Sequence, residues 1–156
     1  MNMKAADFLL DIRLKEGFGN LKFGDSPEHV SAMLGDPDEA EDLENEFEEE
    51  THTVLWNYWD QAISLFFEGV DKQSLSSIET DNIKTTLFGK KVFDLNEKQV
   101  IDLMHQNGFK EIDTEVETWG EKRVSFDDAQ IDFYFLNDQV SIVSWGVIVN
   151  PDGEIE

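Results

Sequence analysis

Apolar residues recur along this chain with two periods, and the switch between them predicts the elements. Val30, Met33 and Leu34 form an i, i+3, i+4 stripe behind Ser26 and Pro27, which read as cap and first helical residue. Gly35 stops that helix, with Pro37 just beyond. Val100, Leu103 and Met104 repeat the stripe behind Asn96, and Asn107-Gly108 closes it. Alternating stretches follow each helix. Leu43 to Phe47 and Ile112 to Thr118 read as half-exposed strands. Val54, Trp56 and Tyr58 share a face, as do Val124 and Phe126. Turns at Trp59-Asp60 and Asp127-Asp128 lead into Ile63-Leu65-Phe67 and Ile131-Phe133-Phe135, and a last strand starts near Leu75 or Val140. Residues 5–14 fit a helix or a strand equally well.

These paired readings come from a repeat. Phe18-Gly19 aligns with Phe88-Gly89, Val30 with Val100, and Asp60 to Phe67 with Asp128 to Phe135, a period of about 70 residues that drifts as loops shorten. The expected fold class is therefore α+β. Two tandem helix-plus-antiparallel-sheet repeats, about 17–82 and 83–150, would form one domain over 1–156, with the helices packed on one face of a continuous or adjoining sheet.

Composition supplies a core and constrains the partners. Of 156 residues 40% are hydrophobic, including twelve Phe and four Trp, enough to argue against a disordered chain. Thirty-five Asp and Glu against twelve Lys and Arg give a formal charge of −23. That surface repels nucleic-acid backbones and anionic lipid heads, and attracts a basic protein. Solubility alone would account for the same charge. No cysteine is present, which excludes disulfides, thiolate metal sites and a cysteine nucleophile. Asp7 and Asp11 bracket an apolar run too short for a secretory core, so the cytoplasm is the expected location.

The run Gly19-Asn20-Leu21-Lys22-Phe23-Gly24-Asp25-Ser26-Pro27-Glu28-His29-Val30, followed by Leu34-Gly35-Asp36-Pro37, resembles the small outer-membrane-assembly lipoprotein (SmpA/OmlA) repeat. Two such units in tandem are similar to the β-lactamase-inhibitor-protein fold and to acidic bacterial immunity proteins. The resemblance implies a helical layer behind a sheet whose open face grips another protein. It implies no catalytic residue. The second half keeps Phe88-Gly89 and Val100 but lacks the Leu-Gly-x-Pro ending, and the lipidated cysteine is missing, so membrane anchoring does not carry over.

Enzyme and metal templates fail one by one. His29, His52 and His105 are scattered, without the spacing of a zinc site. Residues 36–50 carry ten acids and no base, but a calcium loop begun at Asp36 puts Glu41 where glycine is needed and Phe47 where the closing glutamate belongs. Asp60 and Asp128 sit where hairpins turn, and no phosphate loop or nucleophile elbow occurs. We therefore expect no catalytic residues, no metal and no cofactor.

Aromatic residues off the core face remain. Phe66 alternates with Leu65 and Phe67, and Tyr134 with Phe133 and Phe135. The sequence predicts a partner-binding face anchored by Trp59, Phe66, Tyr134 and Trp145, with acidic rims at Glu44, Glu46 and Glu48 and at Asp113, Glu115 and Glu117. The expected occupant is a basic protein, as for an immunity or inhibitor-type module. The alternative is a homo-oligomeric structural or regulatory module, a homodimer using that face as its own seam.

Overall fold

The computed structural model describes residues 10–43, 52–70, 72–150, 152, 154 and 155. Three short strands, β1 (Asp11–Arg13), β2 (Gly17–Phe18) and β3 (Leu21–Lys22), precede helix α1 (Pro27–Leu34). An antiparallel meander follows: β4 (Glu39–Leu43), β5 (His52–Tyr58), β6 (Ile63–Gly69) and β7 (Ser74–Thr80). A small hairpin, β8 (Thr86–Leu87) with β9 (Lys90–Lys91), leads into helix α2 (Glu97–Gln106). The second meander is β10 (Ile112–Val116), β11 (Lys122–Phe126), β12 (Ile131–Leu136) and β13 (Gln139–Gly146).

The helix ends form where the local chemistry places them. The Ser26 side chain accepts from the His29 N–H, and Gly35 takes the positive φ of 82° that ends α1. In α2 the Asn96 and Gln99 side chains each accept from the other's backbone N–H, a capping box. The Tyr58 hydroxyl donates to the Gly35 carbonyl at 2.8 Å, tying the end of α1 to β5. Burial and the nearby Asp36 and Asp38 raise the Tyr58 pKa, so this donor keeps its proton.

The meanders join edge to edge into one eight-stranded sheet, ordered β10-β11-β12-β13-β7-β6-β5-β4. The join pairs Val143 with Thr80, Ser144 with Glu79, Trp145 with Ile78 and Gly146 with Ser77. A five-stranded sheet, β3-β2-β1-β8-β9, lies apart, with β1 parallel to β8. Strands make up 47% of the described residues and helices 16%. This corrects the α+β expectation: the protein is a β-rich fold of two sheets rather than two tandem helix-plus-sheet repeats. Two physical reasons account for the difference. Helices of eight and ten residues cannot form a layer over eight strands. Part of that cover comes instead from segments 17–22 and 86–91, where no element was expected and which pair as two-residue strands.

One core joins all of this. Val30 and Leu34 of α1, Val100 and Met104 of α2, and Phe18 and Leu87 of the small sheet are buried with Leu65, Phe67, Ile78, Phe133 and Val143 of the large sheet. Trp145 belongs here too. Expected as a surface anchor, it is only 2% exposed. Its ring meets Phe18 edge-on at 4.9 Å, and its indole N–H donates to the Gly17 carbonyl at 2.9 Å. Trp145 lies one residue pair from Val143 on the same strand, so both face the core. Strand is present from Glu39 to Leu43, earlier than the expected start at Leu43; the rest of that expected strand, with Glu44, Glu46 and Glu48, lies outside the described residues. Of residues 5–14, Asp11–Arg13 are strand.

At Gly146 the two strands approach closely across the join: a Cβ there would sit 2.5 Å from the Ser76 carbonyl oxygen and 2.7 Å from the Ser77 Cβ. Gly146→Ala should therefore destabilise the fold by about 1–3 kcal/mol through forced strand separation. Urea unfolding followed by tryptophan fluorescence measures it; an unchanged midpoint would contradict the close packing.

Candidate functional site

With the core on one side, alternation sends the intervening side chains of the large sheet to the other. Register places one row of them across all eight strands. Asp113, Ser125, Asp132 and Ser144 follow one another through the second meander, and Glu79, Ser64, Asn57 and Glu39 continue through the first. Four acids, three serines and Asn57 fill this row. Apolar side chains flank it: Tyr134 beside Ile142 on one side, Leu55 beside Phe66 on the other. Phe66 and Tyr134 occupy matched places, each at the point where a bulge shifts the register of its hairpin. A bulge bends a strand and redirects its side chains, and the same device serves both aromatics. Both are half-buried.

The charges on this face are unevenly compensated. Arg123 Nη2 donates to Glu115 Oε2 at 2.9 Å and to Asp113 Oδ2 at 3.5 Å, while Nη1 donates to Ser125 Oγ at 2.7 Å and lies 4.0 Å from Asp132. Asp113 and Glu115, expected as a free acidic rim, are thus partly neutralised by a neighbouring strand. Glu117 is half-buried in the turn between β10 and β11, where its backbone N–H donates to the Glu121 carbonyl at 2.8 Å. Other acids of this face act on one another. Glu41, by hydrogen bond and by charge, raises the pKa of Glu39 two residues away. Burial raises that of Glu79, and Asp81 and Glu121 push it the same way. The Tyr134 hydroxyl is raised first by burial, then by Asp132 and Glu79.

Of the four aromatic anchors expected, the structure brings Phe66 and Tyr134 onto one face and removes Trp145 to the core. Trp59 lies at the β5–β6 turn, 63% exposed, its N–H donating to Asp38 Oδ2 at 2.8 Å. Sequence reasoning missed Glu79, Asp81, Arg123 and Ile142. The alternation of Ser77, Ile78, Glu79 and Thr80 was the available signal, since it turns Glu79 away from buried Ile78 and Thr80. The histidines do not converge: His52 Nε2 lies 3.1 Å from Asp42 Oδ1, and His29 4.0 Å from Asp25. Among the described residues no group of three or more His, Asp or Glu is placed to hold a metal ion, and no helix is long and apolar enough to cross a membrane.

No family model matches the chain, and no curated protein matches it in sequence. Among solved structures, an extracellular protein containing an SCP domain from Bacillus anthracis str. Ames matches with a TM-score of 0.48 at 13% identity, covering 94% of this chain and 47% of that one. The chain spans less than half the length of that protein. So low a likeness assigns neither fold nor activity.

Because the folded state raises the Glu79 pKa, its protonated form favours folding, and that advantage is lost as pH rises through the folded value. Glu79→Gln should therefore be more stable than the natural chain at neutral pH, with the difference shrinking below the ordinary carboxylate range. Thermal unfolding across pH reads it. A variant less stable at pH 7 would mean that Glu79 is held by an attraction absent from this geometry.

Proposed function

We propose that the open face of the large sheet is a docking surface for a basic protein, and that the chain acts by binding rather than by catalysis. The observation that carries this reading is the pair Phe66 and Tyr134, set at equivalent bulges and flanking a row of acids and serines. Half-buried aromatics supply binding area at low entropic cost, and surrounding carboxylates steer a cationic partner into contact. An immunity or inhibitor-type role, as the glycine-serine-proline repeat motif implies, belongs to the same proposal. So does a cytoplasmic setting, which suits a chain free of cysteine.

The test begins with capture of the partner at low salt and continues with binding kinetics on the isolated pair. Tyr134→Ala and Phe66→Ala should speed dissociation, each costing about 2 kcal/mol if it fills a pocket in the partner. Glu39→Gln with Glu41→Gln should slow association and flatten its salt dependence, leaving dissociation nearly unchanged. An acidic partner, or one indifferent to both kinds of substitution, would refute the proposal. Light scattering on the free chain separates the rival homodimer, which would lose its doubled mass in Tyr134→Ala.

A further inference from the structure

The open face carries a depression at its β5–β6 end. It lies where β5 turns into β6 beside the end of β7, and Asn57, Trp59, Ser64, Glu79, Asp81 and Ile142 line a volume of about 440 Å³. Its chemistry is lopsided. Two acids, Glu79 and Asp81, line it and act on each other, a third, Glu121, acts on Glu79, and no Lys or Arg lies among the lining residues. The ion pairs of the described residues involve His29, His52, Lys122 and Arg123, none of them with Glu79 or Asp81. Arg123, the cation in register with Tyr134, is engaged by Glu115 and Asp113.

A half-buried carboxylate with only like charges beside it weakens the fold that carries it, and a cation brought by a partner would relieve that cost. The walls narrow the choice. The exposed indole of Trp59 offers a π face to a cation, Ile142 gives apolar contact for a methylene stem, and the volume holds such a side chain with water to spare. Resting on the docking reading above, we propose that this pocket receives a single arginine side chain presented by the protein partner. The guanidinium stacks on Trp59 and donates to Glu79 and Asp81 together, which a lysine ammonium, lacking a planar fork, does less well.

The experiment uses the whole chain, isotope-labelled for NMR, titrated at low salt with N-acetyl-arginine amide and, separately, with the uncharged isostere N-acetyl-citrulline amide. The arginine compound should shift the Trp59 indole and the backbone signals of residues 79–81 and 142 as one localised set. Citrulline should bind at least about tenfold more weakly, since it lacks the charge-assisted hydrogen bonds. Glu79→Gln and Asp81→Asn should each weaken arginine binding by a similar factor, whereas Glu28→Gln, exposed on α1, should leave it unchanged. Shifts scattered over acids throughout the chain and insensitive to Glu79→Gln would mean counterion condensation and overturn the inference, as would equal binding of citrulline. Failure here is distinct from failure of the docking face. If Tyr134→Ala still releases the captured partner while Glu79→Gln and Asp81→Asn do not, the face stands and the pocket falls.

Discussion

The join between β7 and β13 is the constraint from which the rest of the structure follows. Four residue pairs hold it, with no room for a side chain where Gly146 faces Ser76 and Ser77. Without the join there would be two four-stranded meanders, each with its own bare edge. With it, Trp145 is carried into the middle of the core, where it meets Phe18 and the Gly17 carbonyl. That contact draws the small sheet onto the large one. The second tie is the parallel pairing of β1 with β8, which links residues far apart in sequence through Thr86 and Asp11. The β7–β13 join also brings Glu79 beside Ser144, placing an acid of the first meander against a residue of the second.

What the chain disclosed in advance was what depends on near neighbours. Ser26, Gly35 and Asn96 act through bonds made within a few residues, and each sits in the structure at the helix end its chemistry indicates. The strands from Val54 to Phe67 and from Val124 to Phe135 alternate clearly enough to be read off as period two. The small sheet was invisible for the opposite reason. A strand of two residues has no period, and its pairing of β1 with β8 depends on a contact between distant parts of the chain. The acidic stretch that begins at Asp36 defeated the boundary of β4 because almost every position is polar, so nothing marks where alternation starts.

The candidate site was legible only in part, and the division has a physical cause. Phe66 and Tyr134 announce themselves because each interrupts an apolar alternation. Trp145 does not differ from them in type; its direction is set by which residues of β13 share the face of Val143. Arg123 reaching Asp113 and Glu115 requires knowing that β10 and β11 pair with those residues opposite. Charge totals could not disclose it, since one guanidinium among so many acids changes the sum very little while altering the local field.

The two outermost strands of the large sheet, β4 and β10, carry a further consequence. An edge strand exposes unpaired amide and carbonyl groups, and a second sheet of the same kind is their natural complement. In this chain β4 brings Glu39, Glu41 and Asp42 to one edge, and β10 brings Asp113 and Glu115 to the other. Either edge of one molecule laid along either edge of another therefore sets carboxylates against carboxylates at inter-strand distance. Charge at these borders thus opposes growth into a fibre, more strongly along β4 than along β10, where Arg123 offsets part of it.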